Sequence, residues 1–319
     1  MSTTANNSDQ LAGRLASMSV DRMVGSFVGL AVGDALGTSS EFAKRGDFPP
    51  IDTIVGGGPF HLKPGEWTDD TSMALCLADS LLHCEGFDAR DQMAHYTRWR
   101  REGYNSSNGQ CFDISSVVQA ALDRFEQTGD VFSASTEPGL ADNGSIKRLA
   151  PAVIAYHREP KLAIRVAAES SRTTHGFRVA IDGCRYLAAL LLSLWSGIDR
   201  AVGFEEIANR LTDLDPEIEA VVAGSWREMK DSSIRAGSSV VETLEAALWA
   251  FDLSTDFRSG ALLAANLGED AESAGAVYGQ IAGAYYGLSG IPQEWVQTLH
   301  DHDRIISTAQ ALCMLRPSR

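Results

Sequence analysis

The sequence has no lysine- or arginine-rich run, no long apolar stretch and no paired-cysteine motif. Its 27 basic residues are outnumbered by 42 acidic ones, giving a formal net charge of -15. That balance argues against nucleic-acid binding, because neutralising a phosphate backbone needs a basic face. The longest uncharged apolar run, Tyr186 to Trp195, is far too short to span a bilayer, so no membrane association is expected. The opening MSTTANNSDQ lacks a basic segment followed by an apolar core, so no secretory signal is visible. Cysteines number five (Cys76, Cys84, Cys111, Cys184 and Cys313), and none forms a CxxC pair. Small buried thiols in a reducing cytoplasm are the expectation. Alternating β-branched runs bounded by turns are nearly absent, which leaves little material for a sheet.

What is present is helical. The 319 residues are 44% hydrophobic, enough for a sizeable core. Residues 1–18 read as a flexible N-terminal tail and 19–319 as one compact all-α domain of a dozen or so helices. After a first helix from Asp21, amphipathic or buried helices are expected at about 71–83, 90–102, 114–127, 145–157, 161–171, 178–196, 204–212, 217–229, 239–251, 259–266, 272–288, 292–299 and 303–314. Two segments carry glycine at strict i+4 spacing: Gly25, Gly29, Gly33 and Gly37, then Gly275, Gly279, Gly283 and Gly287. Glycine costs roughly 1 kcal/mol against alanine inside a helix. Each smooth face therefore predicts close approach of another helix backbone.

Two oxygen-rich clusters stand about two hundred residues apart, each where a helix should begin. One is Thr68-Asp69-Asp70-Thr71; the other is Asp270-Ala271-Glu272-Ser273. Hydroxyls and carboxylates without nearby Cys or His suit Mg²⁺ or Mn²⁺ rather than zinc. Each cluster alone can be read as helix capping, since Thr is a good N-cap and acidic first turns favour the helix dipole. Two together predict carboxylates that would repel unless cations neutralise them. Asp34, beside Gly33, reads as an internal acceptor for nearby backbone donors.

Five patterns then occur in order: GLAVGDALGTSSEF (29–42), GEWTDDTSMAL (65–75), CFDIS (111–115), NGSIKRLAP (143–151) with TTHG (173–176), and LGEDAESAGAVYGQIAGAYYG (267–287). Together they resemble the ADP-ribosylglycohydrolase family over residues 21–315. The resemblance implies an all-α fold and a centre of two Mg²⁺ or Mn²⁺ ions. It implies metal ligands at Thr68, Asp69, Asp70, Asp270, Glu272 and Ser273. Glu41 would position the ribose near the metals, and Asp113 would act in catalysis. Asn143, Gly144, Ser145 and His175 would contact ADP-ribose. From the residues alone, Asp113 reads equally as a helix N-cap, His175 as a structural histidine, and Asn143-Gly144 as a turn. The second cluster departs from the usual Asp-x-Asp-Thr, and Ser238 stands where relatives carry an aromatic residue. The activity implied is removal of ADP-ribose from a modified acceptor, foremost the N-glycosidic bond of an arginine. The partner would be an ADP-ribosylated protein or a small-molecule conjugate. Hydrolysis of an O-linked or small-molecule derivative, and a non-catalytic ADP-ribose-binding or immunity role, are the rival readings.

Overall fold

The computed structural model describes residues 19–132, 134 and 141–317. The expected tail, residues 1–18, lies outside the described residues. Fifteen α-helices make up most of the remainder, and strand-like pairing among the described residues amounts to isolated bridges. In chain order the helices are α1 (Val20–Gly37), α2 (Asp69–His83), α3 (Ala89–Glu102), α4 (Ser116–Thr128), α5 (Ala150–Ala155), α6 (Pro160–Arg172), α7 (Arg178–Trp195), α8 (Arg200–Arg210), α9 (Pro216–Ala223), α10 (Ser225–Glu228), α11 (Val240–Leu253), α12 (Phe257–Ala265), α13 (Ala271–Tyr286), α14 (Gln293–Thr298) and α15 (His302–Met314). The single all-α domain read from the sequence is what forms.

Local chemistry explains the boundaries. Side chains of Ser19, Thr68, Asp88, Ser115 and Ser239 each accept a backbone N–H at a helix start, relieving donors that have no intrahelical partner. The helix expected at 217–229 is broken by Gly224, whose φ of 96° ends α9 in the left-handed region. The helix expected at 145–157 shrinks to α5, because residues 144–148 run as consecutive turns. Pro151, in the first turn of α5, has no N–H with which to extend an α-helical ladder backwards.

α1 and α13 form the spine. They run antiparallel, and Gly25, Gly29 and Gly33 lie against Gly283, Gly279 and Gly275 in reverse order. A Cβ on Gly29 would overlap the Gly279 carbonyl, and one on Gly33 would overlap that of Gly275. The two glycine stripes therefore pack on each other, backbone to backbone, and dispersion contact offsets their helix cost. Every residue of α1 from Met23 onward is buried. The pairing also brings the C-terminal end of α1 to the N-terminal end of α13, so Gly37 sits against Ala271 and Glu272. The second acidic cluster is thereby delivered to the loop that carries Glu41.

Candidate active site

The clusters meet at the end of the spine. Asp34, in the last turns of α1, accepts from Thr68 N (3.0 Å) and Thr68 Oγ1 (3.0 Å) and from Thr71 N (3.0 Å) and Thr71 Oγ1 (2.6 Å). This buried carboxylate clamps the start of α2, as the sequence suggested. Burial pushes its pKa up to about 6, against the opposing hydrogen bonds from Thr71 and Thr68. On the other side, Phe42 N donates to Glu269 O and Glu269 N to Ala43 O, both at 2.7 Å. That short parallel bridge joins the loop after Glu41 to the loop before Asp270.

Capping accounts for one cluster in part and for the other not at all. The Thr68 side chain accepts from Asp70 N. Asp270 is the N-cap of α13, yet its side chain accepts no cap bond. Its Oδ2 accepts instead from Asn143 Nδ2 at 2.5 Å. Asn143 Nδ2 also donates to Thr243 Oγ1 (2.8 Å). Asp113 does not cap either: Ser115 does so for α4, accepting from Val118 N. Asp113 stands in the left-handed region (φ 59°), uncommon for a residue with a Cβ.

Carboxyl oxygens of Glu41, Asp113 and Glu272 lie within 4.8 Å of one another. Both Glu41 oxygens and Glu272 Oε2 are buried without a hydrogen-bond donor. Burial and neighbouring acids push Glu41 up to about 8 and Asp113 up to about 11. Glu272 is raised well above the usual carboxylate range by burial and by Asp270. Such a group of hard, donor-starved oxygens fits a divalent cation of the Mg²⁺ or Mn²⁺ kind.

Lys147 was not singled out from the sequence, and it sits between the clusters. Its buried Nζ lies 3.1 Å from Asp69 Oδ2 and 2.5 Å from Asp70 Oδ1. It also donates to Ser273 Oγ at 3.3 Å. Burial works against its charged form, but Asp69, Asp70, Asp270 and Asp113 together outweigh it and raise its pKa. Gln280 of α13 fixes the turn, donating from Nε2 to Ile146 O (3.0 Å) and Lys147 O (3.2 Å). Its Oε1 accepts from Ala150 N.

Ser145 and His175 both have partners within the protein. The Ser145 hydroxyl accepts from Ser171 Oγ (3.0 Å) in the core. His175, wholly buried, places Nε2 2.8 Å from Asp142 Oδ1 and Nδ1 2.8 Å from Thr174 Oγ1. Burial lowers the pKa of this ring, with Asp142 opposing. Gly144 packs against the His175 ring, where a side chain would collide, and its N–H donates to Asp142 Oδ1 (2.9 Å). Both ring nitrogens and the Ser145 hydroxyl are thus engaged in holding residues 142–148 in place. A second feature missed from the sequence is aromatic. Phe60 makes a tilted contact at 5.0 Å with Phe112, next to Asp113, and an edge-to-face contact at 6.4 Å with Phe42, next to Glu41. Phe42 is exposed. No periodicity marks these three residues, because they come from separate loops.

Residues 16–319 match the family model described as ADP-ribosylglycohydrolase. The chain belongs to the ADP-ribosylglycohydrolase family. It is 40% identical to the ADP-ribosylarginine hydrolase Tri1 of Serratia proteamaculans (strain 568), over 94% of this chain and 81% of that protein. It is 42% identical to the protein of the same name from Pseudomonas putida (strain GB-1), over 92% of this chain and 78% of that one. With the ADP-ribosyl-[dinitrogen reductase] glycohydrolase of Rhodospirillum rubrum the identity is 30%, covering 88% of this chain and 90% of that one. A solved structure titled as an ADP-ribosylglycohydrolase-related protein complex superposes with a TM-score of 0.82 at 42% identity, covering 93% of this chain and 98% of that chain.

Proposed function

We propose that this protein hydrolyses the N-glycosidic bond between ADP-ribose and an arginine side chain, releasing free ADP-ribose. The observation that carries the reading is the meeting of buried Glu41 and Glu272 with half-buried Asp113 at the junction of the two clusters. The 40–42% identity to ADP-ribosylarginine hydrolases supports arginine as the acceptor. A cytoplasmic setting goes with five free cysteines, and no helix of the described residues is long and apolar enough to cross a membrane.

In the reaction, water oxygen bonds to C1″ of the ribose as the C1″–N bond breaks. The bonding pair leaves with the guanidine nitrogen, and the water gives up a proton. Asp113, half-buried and raised to about 11 by desolvation and by Asp69, carries a proton that it can give to the departing nitrogen, and it is then free to take up the proton that the water releases. A positioned acid or base contributes about 10²- to 10⁴-fold. Glu41 and Glu272 would hold a divalent cation, with Asp270 oriented beside them by Asn143. Such an ion, when bound, supplies charge to grip ribose hydroxyls and to acidify water. The carboxylates are numerous enough for the two Mg²⁺ or Mn²⁺ ions expected from the sequence, except that a lysine ammonium already stands at Asp69 and Asp70. Residues 142–148, braced by His175 and Ser145, hold the turn on which Asn143 and Lys147 sit.

The test is release of ADP-ribose from an arginine-modified protein, with Mg²⁺ or Mn²⁺ and with EDTA. Serine-modified protein and small-molecule conjugates serve as competing substrates. Metal-dependent release from arginine is expected. ADP-ribose binding without release from any of the three would overturn the reading in favour of a binding protein.

A further inference from the structure

We propose that Lys147 permanently takes the place of one divalent ion, so that this protein works with a single Mg²⁺ or Mn²⁺ held at Glu41 and Glu272, with Asp113 beside them. The inference rests on the reading of the acidic centre as a metal site and departs from the two-ion expectation. Its basis is how unevenly positive charge is distributed among the acids. On one side, the Lys147 ammonium lies 3.1 Å from Asp69 and 2.5 Å from Asp70. It is 3.3 Å from Ser273 Oγ, so it reaches ligands from both clusters at once. On the other side, neither Glu41 oxygen has a donor, nor does Glu272 Oε2; the buried Asp70 oxygens accept no hydrogen bond either, but Oδ1 lies in ion-pair range of the ammonium.

The lysine is also built in rather than laid over the site. Its side chain is 8% exposed, and its backbone carbonyl is fixed by Gln280 from the middle of α13. A hydrated divalent ion arriving at Asp69 and Asp70 would have to displace this ammonium from its carboxylates. It would then meet the repulsion of a buried positive charge a few ångströms away, which is severe in a poorly polarisable interior. At Glu41 and Glu272 an incoming ion has no ammonium to displace, since Lys147 acts on that side only through space.

Stoichiometry decides the matter without reference to turnover. The full chain, stripped with EDTA and desalted, is titrated with Mn²⁺ by calorimetry, and bound Mn²⁺ is examined by electron paramagnetic resonance. One ion per chain, with the six-line spectrum of an isolated Mn²⁺, is expected for the unaltered protein. Lys147→Met keeps the length of the side chain and removes its charge. It should bind two ions per chain, with the broadened spectrum of a spin-coupled pair. Two ions in the unaltered protein would overturn the lysine inference and leave the proposed hydrolase intact. A single ion in a folded Lys147→Met protein would overturn it as well. No Mn²⁺ binding by the unaltered protein would instead strike at the metal reading on which the proposed function stands. Should Lys147→Met fail to fold, the count on the unaltered chain still decides.

Discussion

Replacing Asp34 tests whether the site depends on a residue outside it. Asp34 receives two backbone N–H groups and two hydroxyls, from Thr68 and Thr71. Asp34→Ala removes every acceptor at once. The hydroxyls can rotate to other partners, whereas the amides of Thr68 and Thr71 are fixed in direction and buried. A stranded buried donor costs about 1–3 kcal/mol, so two give about 2–6 kcal/mol. Part of this is returned, because keeping a carboxyl at a site that raises its pKa to about 6 is itself unfavourable. A net loss of about 2–4 kcal/mol is expected, a large share of a typical 5–15 kcal/mol stability. Asp34→Asn keeps one acceptor oxygen and should lose about half as much. Urea unfolding of the full chain, with the slope checked for constancy, gives both numbers. Mn²⁺ affinity should fall by less, since Asp69 and Asp70, on the turn that Asp34 clamps, hold Lys147 rather than the ion. An Asp34→Ala protein within about 1 kcal/mol of the parent would refute the clamp.

Gly279→Leu drives a side chain into the Gly29 carbonyl, and should lower stability by about 1–3 kcal/mol or more and weaken Mn²⁺ binding; unchanged melting and binding would mean the helices can part. Asp113→Asn should lose about 10²- to 10⁴-fold in turnover while still binding ADP-ribose; equal losses in both would make Asp113 a binding group only. Stability in EDTA should fall as pH rises from about 4.5 to 8. Over that window native Glu41, raised to about 8, still holds a proton that the unfolded chain has released. Added Mn²⁺ favours the carboxylate and should raise the melting temperature more at pH 8 than at pH 6; a flat or rising profile in EDTA would contradict the burial of Glu41.

Features confined to a short string were legible in the sequence. Thr68-Asp69-Asp70 and Asp270-x-Glu272-Ser273 announce themselves because helix starts concentrate their side chains in one direction. The glycine stripes were readable because i+4 spacing maps directly onto a helix face. Asp34 was readable too, since a carboxylate inside a glycine-lined buried helix must find donors. Lys147 was not. In NGSIKRLAP it looks like any solvated lysine of an amphipathic helix. Its burial arises only when α13 brings Ser273 opposite Asp69, a consequence of tertiary packing that no local window contains. The same holds for Phe42, Phe60 and Phe112, and for the short α5, where Pro151 and the consecutive turns before it override a helical pattern. The internal partners of Ser145 and His175 could not be read from spacing. The use of both residues by Ser171, Asp142 and Thr174 shows only in three dimensions.

The antiparallel contact of α1 with α13 has a consequence for how the protein is made. α1 leaves the ribosome well before its partner α13, which ends at Tyr286. At about 5–20 residues per second, a nascent chain exposes the glycine-lined, apolar face of α1 for on the order of 10 seconds or more before α13 emerges. Asp69 and Asp70 spend the same interval without their opposite cluster. Folding is thus forced to finish late and all at once, and metal uptake with it. A chain released before residue 286 keeps Thr68-Asp69-Asp70 and Lys147 but lacks the spine that makes them a site, which leaves truncated products both sticky and inert.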